Sequence, residues 1–332
     1  MKATLLPDRG VIKLAGDEAR NFLHGLVTAD ILTLTPATAR FTALLTPQGK
    51  IIADFIVIEG SAAPGNEFGG GFFLDIPRAL GTTLIGKLNL YKLRAKVRVE
   101  DRSQTLGVLA VWNESANGGG QGSDGHNAAQ KHAMKIGLCY ADPRLPALGL
   151  RAIVPLELAA QAATELGAAL TDAAAYDVHR IALGVPQGGV DFAYSDAFPH
   201  ETDMDQLGGV DFKKGCFVGQ EVVSRMQHRG TARTRAVPVR FEGQAPETGT
   251  AITAGGRPVG TLGSATVGSA GGGRGIALLR LDRVDEALAE GGTLSAGSVP
   301  IHLVKPAWAR FPFPGERAQE TPDQTPSQTS NP

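Results

Sequence analysis

The chain is predicted to be an α+β protein that ends in a small β-barrel. Its 332 residues, 42% of them hydrophobic, are enough to bury a substantial core in two or three domains. Alternating, β-branched runs interleave with helix-period segments up to residue 235. Beyond residue 236 the texture changes to short apolar runs punctuated by Gly and Pro, the pattern of a small barrel or sandwich. The expected organisation is an α+β body over 1–235, a barrel over 236–312 and a disordered tail over 313–332.

In chain order, strands are expected at 10–14, 41–45, 51–59, 72–76, 96–100 and 106–111. Helix-period segments run over 17–31, 77–91 and 155–166. Asp17 is a plausible N-cap for the first, after which Phe22, Leu23, Leu26 and Val27 recur on one face. Two stretches rich in Gly with small or polar side chains, 61–71 and 113–132, read as flexible surface loops. The second has no Lys-Ser/Thr after its glycines, so it does not make a phosphate loop. Barrel strands are expected at 237–241, 250–253, 258–264, 275–281 and 301–304. The last residues are rich in Glu, Gln, Thr, Ser and Pro and carry too little apolar surface to fold.

Charge and cysteine content exclude several function classes. A formal net charge of −1 argues against general nucleic-acid binding, which needs a basic surface, so no DNA partner is expected. No stretch holds the roughly 18 uninterrupted apolar residues of a membrane helix, and no membrane partner is expected. Two cysteines are too few for a disulfide framework; with no signal peptide or Arg-rich presequence, a bacterial cytoplasm is expected.

The most informative stretch is Lys213-Lys214-Gly215-Cys216-Phe217-Val218-Gly219-Gln220-Glu221. It sets a cysteine between a Lys-Gly turn and an expected helix start, where amide groups and ammonium charges both favour thiolate over thiol. Cys216 is therefore the first candidate site residue, as a metal or cluster ligand, a redox thiol or a nucleophile. Gly215 and Gly219 are expected to supply a tight turn and a close approach of the helix. Gln220 and Glu221 fall in the first helical turn, as dipole partners or as support for the cysteine. Arg225, His228, Arg229, Arg233 and Arg235 form a basic run, either a solvated face or a local anion site. Cys139 lies in an apolar run expected in the core. His24, His179 and His200 have no metal-ligand spacing and are expected to be hydrogen-bonded structural residues.

The run from Lys214 to Glu221, continued by Ser224-Arg225 and His228-Arg229-Gly230, resembles the signature of the YgfZ-type folate-binding proteins of the glycine-cleavage T-protein superfamily. Upstream, the sequence FLHGLVTAD at 22–30 resembles that family's N-terminal helix, and LTPQGKIIAD at 45–54 its first hairpin. The stretches 176–180, 184–186 and 208–212 look closest to its CAF17-like iron-sulfur cluster assembly branch. The resemblance implies a T-protein-like ring of ferredoxin-like α+β subdomains, two of them within 1–235, followed by the barrel, around a folate-sized opening. It also implies tetrahydrofolate or a derivative as cofactor, an iron-sulfur cluster shared with a partner, and as partners an A-type cluster carrier and 4Fe-4S client enzymes.

On that resemblance, Asp54 aligns with the acid that T-proteins use at the reacting nitrogen, and Tyr176 with an aromatic lining the folate pocket. Lys214, Gly215, Gly219, Gln220, Glu221, Arg225 and Arg229 complete the expected cofactor-binding set. Two positions depart from the T-proteins: Cys216 replaces an acid, and Ala182 stands where an acid contacts the pterin and cannot accept its N–H bonds. These departures argue against ordinary glycine-cleavage activity. The leading expectation is a folate-binding accessory protein of 4Fe-4S cluster assembly or repair without turnover of its own; the alternative is a folate-dependent aminomethyl or methyl transferase.

Overall fold

The computed structural model describes residues 1–36, 38–60, 68–113, 136–230, 232–268 and 272–316. Most of the predicted loops at 61–71 and 113–132, and nearly all of the predicted tail, lie outside the described residues. Strands β1 (Lys2–Leu5), β2 (Arg9–Ala15), β3 (Ala39–Leu45), β4 (Ile51–Glu59), β5 (Phe72–Pro77) and β6 (Arg98–Asp101) open the chain, with helices α1 (Ala19–Leu26) and α2 (Gly81–Lys92) between them. Five of these strands form an antiparallel sheet in the order β3-β4-β5-β2-β6. The chain continues through β7 (Leu106–Trp112), β8 (Leu138–Ala141), β9 (Leu150–Pro155), α3 (Ala159–Glu165), β10 (Ala169–Leu170) and α4 (Ala173–Ala182). β1 takes no part in the first sheet and lies in a second, β10-β1-β7-β9-β8.

Strand alternation explains the layering. One face of β4 and β5 carries Ile56, Ile58 and Phe73, which meet Val108, Ala110, Trp112 and Ile153 of the second sheet in a shared core. The opposite face carries Phe55, Val57, Leu74 and Ile76, which bury the apolar sides of α1 and α2. α3 covers the outer face of the second sheet through Ala159, Ala162 and Ala163. Two sheets thus lie face to face with helices outside. Among the described residues, no helix is long and apolar enough to cross a membrane.

Helix α5 (Gln220–Arg229) precedes a closed six-stranded barrel of β11 (Thr234–Glu242), β12 (Ala251–Ala254), β13 (Arg257–Val267), β14 (Gly272–Arg280), β15 (Leu294–Ala296) and β16 (Val299–Leu303). The sequence reading missed α6 (Leu281–Ala289), whose Leu281, Val284 and Ala287 pack on the barrel core. The helices expected at 77–91 and 155–166 each open with a 3-10 turn after the proline, at Arg78–Leu80 and Leu156–Leu158. The helix expected over 17–31 is shorter. It stops at Leu26, and its N-cap is Glu18, with no side-chain cap bond.

Candidate functional site

The three stretches that carry the resemblance converge. Asp211 N–H donates to Thr28 O at 3.0 Å, and Thr28 Oγ1 donates to Gly209 O at 2.5 Å. The loop 208–219 is thereby hung on the segment that follows α1. Lys214 fastens it further: its ammonium donates to the carbonyls of His24 (2.6 Å), Val27 (2.5 Å) and Ala29 (3.1 Å). A helix end leaves carbonyls without internal partners, and a cation is the favourable group to meet them. Burial lowers the pKa of Lys214 to about 8. On the other side, Gly219 has φ +81, and a Cβ there would stand 2.5 Å from Thr46 O, in the turn between β3 and β4. Gly49 in that turn, φ +84, faces Val222 of α5. Only residues without a side chain allow this approach.

Cys216 lies between these two anchors, exposed to solvent, in the loop before α5 rather than in the helix itself. Of the two ammonium groups expected to favour its thiolate, that of Lys214 is instead committed to three carbonyls, and Lys213 is exposed. A cavity of about 350 Å³ opens along the same loop, lined by Asp30, Arg40, Val210, Phe212 and Lys213 among others. Among the described residues, no three or more His, Cys, Asp or Glu side chains are grouped so as to hold a metal ion. Cys139 is far less available: burial pushes its thiol up to about 12.

The remaining predicted residues separate. Gly215 does not serve a close approach, because a Cβ there would meet open space. Gln220 begins α5, and Glu221 pairs with Arg225 on its exposed surface at 2.6 Å. Arg229 and His228 lie exposed in the last turn. Arg235 does not belong to a basic face; it is buried at the start of the barrel, bonded to Asp205, Asp203 and the His200 carbonyl. The predicted structural histidines are hydrogen-bonded: His179 to Ala147 O, His200 to Gln227, and His24, whose Nδ1 accepts from the Ile31 N–H at 3.3 Å.

Asp54 shares the β4 face of Ile56 and Ile58 and accepts a 2.5 Å hydrogen bond from the Tyr194 hydroxyl. Burial and the adjacent Asp54 hold the Tyr194 phenol well above its ordinary pKa. Tyr176 is buried edge-on to Trp112, ring centroids 5.4 Å apart, and its hydroxyl accepts from Arg151 at 3.1 Å. It lines a cavity of about 190 Å³ with Arg9, Arg144, Asp177, Arg180 and Gln187. Behind the cavity lies a charge network that the sequence reading missed: Asp75 accepts from Arg9, Arg151 and Tyr140, and Asp142 from Arg144 and Arg151. A signal was present. Asp75 is a lone acid in the apolar strand Phe72–Pro77, and such an acid demands a buried cation.

The comparisons with known proteins fit this architecture. Residues 233–311 match the family model described as CAF17, C-terminal beta-barrel domain. The human protein named iron-sulfur cluster assembly factor IBA57, mitochondrial, is 32% identical over 268 residues, which is 77% of this chain and 72% of that protein. The chain belongs to the CAF17/IBA57 family. Homologues named for IBA57 from Mycosarcoma maydis and Neurospora crassa are also 32% identical, over 72% and 74% of this chain; the chain spans only 57% and 55% of their length. The crystal structure of the glycine cleavage system aminomethyltransferase T from Bartonella henselae aligns over 94% of this chain and 87% of that one, with TM-score 0.68 and 15% identity. At that identity it shows the T-protein fold alone.

These names overturn the expected bacterial cytoplasm, because the CAF17/IBA57 relatives are named as mitochondrial. A low cysteine count reports redox conditions, not the membrane that encloses them.

Proposed function

We propose that the chain is an iron-sulfur cluster assembly factor, as its relatives are named, and that Cys216 supplies one ligand to a cluster completed by a partner. The observation that carries this reading is the exposed Cys216 thiol on a loop anchored at both ends, by Lys214 to the end of α1 and by Gly219 to the β3–β4 turn. Structural iron-sulfur sites use about four cysteine ligands. One fixed, solvent-facing thiol suits a shared site in which an A-type cluster carrier provides the others and 4Fe-4S enzymes receive the product. Ligation exchanges the S–H bond for an S–Fe bond, and the proton leaves to solvent.

Folate, which the resemblance implies, fits these residues poorly. The cavity lined by Tyr176 is about 190 Å³, below the roughly 300–1,000 Å³ of small-molecule sites. The Tyr176 hydroxyl is taken by Arg151, and Ala182 is exposed at the end of α4, outside that lining. The transferase reading is further weakened because Tyr194 already occupies an oxygen of Asp54.

Anaerobic reconstitution with an A-type carrier tests the proposal. Wild-type chain is expected to give cluster absorption bands in the mixture and Cys216→Ser to lose them; equal bands from both would sink it.

A further inference from the structure

From residue 76 to 99 the chain holds six cations, Arg78, Lys87, Lys92, Arg94, Lys96 and Arg98, and not one acid, within a protein of net charge −1. The structure gathers most of them around the C-terminal end of α2 and the start of β6. Two leucines stand out from the same place: Leu90 is 66% exposed and Leu93 is 87% exposed. Leu93 has φ +44, a conformation that bulky L-residues avoid, and this turns an apolar side chain toward water at the helix end. Strain of that kind persists where the surroundings impose it and is a pointer to use. Among the described residues, the side chains of Lys87, Lys92, Arg94, Lys96 and Arg98 have no carboxylate partner; the nearby Glu18 carboxylate binds the Lys96 backbone N–H at 2.6 Å, and Glu100 is exposed at the rim. The other leucines of α2, Leu84 and Leu88, are fully buried against the first sheet, with Ile85 and Tyr91 partly buried beside them.

We propose that this knuckle is a peripheral docking surface for an anionic lipid membrane. Exposed leucines on a helix end ringed by cations match the composition of interfacial elements, where apolar tips enter the headgroup boundary and basic side chains remain among anionic headgroups. Both leucines stand exposed at the helix end, and a fluid interface accepts exposed apolar side chains without a matching pocket. The cations supply the attraction that a protein of net charge −1 otherwise lacks. A peripheral contact of this kind departs from the expectation of no membrane partner, which rested on the absence of a spanning helix. It is independent of Cys216, whose loop is anchored at the C-terminal end of α1.

Vesicle flotation tests it, using phosphatidylcholine alone and phosphatidylcholine with phosphatidylglycerol at about 7:3, at low salt and at about 1 M salt, where screening shortens charge interactions to ~3 Å. Wild-type chain is expected to float with the anionic vesicles at low salt only. Leu90→Asp/Leu93→Asp and Lys92→Glu/Lys96→Glu are each expected to lower partitioning at least tenfold. Leu93→Gly, which relieves the backbone, is expected to hold or raise the melting temperature while losing vesicle binding, which separates docking from folding. Absence of wild-type binding to anionic vesicles, or binding indifferent to both double variants, overturns the proposal. So does a wild type that ignores vesicles but binds polyglutamate through these same residues, since the surface would then fit an acidic protein.

Discussion

Two glycines beside Cys216 have the same residue type and different physical roles. A Cβ at Gly219 would press on Thr46 O in a left-handed backbone conformation, whereas one at Gly215 would touch nothing. Gly219→Ala is therefore expected to destabilise by about 1–3 kcal/mol and Gly215→Ala to change stability little. Paired thermal melts check this, and equal melting temperatures for the two variants would remove the proposed anchor. Lys214 was read from sequence as a charge for the cysteine. Its role depends on carbonyls supplied by a distant stretch, and no local pattern encodes such a meeting.

At the scale of elements, much of the α+β body was legible, since β4 is rich in β-branched residues and β5 and β7 are short apolar runs with aromatic or Val side chains, and all three fell close to their predicted spans. The overrun of α1 is instructive. Val27 and Ile31 continue the apolar period, but Thr28 is drawn aside by bonds to Thr42 and Gly209, and the helix ends. Lys214→Met should loosen that end. Losing the charged donor that meets three carbonyls is expected to cost about 1–3 kcal/mol. Hydrogen exchange at 24–29 should accelerate, and alkylation of Cys216 by iodoacetamide should change in rate as its loop is freed. Unchanged exchange at 24–29 would show that the ammonium is not what holds the turn.

For the whole molecule, the buried charges between the sheets set the response to acid. Burial disfavours ionised Asp142, but Arg144 and Arg151 outweigh it and hold its carboxyl well below the ordinary range; Asp75 is lowered likewise by Arg9 and Arg151. Because the folded pKa values lie below the unfolded value of 3.8, this stabilisation is complete above about pH 4 and is lost as pH falls further. Unfolding followed by fluorescence should show a steep fall in stability below pH 4; a flat profile to pH 2 would contradict it. Arg151→Met removes one of two guanidinium partners from each of Asp75 and Asp142, leaving Arg9 and Arg144, and is expected to cost about 1–3 kcal/mol. The same scale limits dissection of the chain. β1 is hydrogen-bonded to β7 and β10 of the second sheet, so a fragment ending before β7 would leave that strand unpaired.

The bond between Lys214 and the His24 carbonyl also fixes a time. It joins residues 190 positions apart, and contacts of such separation form late because the intervening loop must close first. During refolding Cys216 is therefore carried on a loop whose anchoring contacts have not yet formed. In that interval the thiol is as open to dissolved oxidants as in the folded chain and, on an unanchored loop, is also free to meet the thiols of other unfolded chains. The yield of competent protein should depend on reductant present while the chain folds, and reductant added afterwards recovers only the reversible part of the damage.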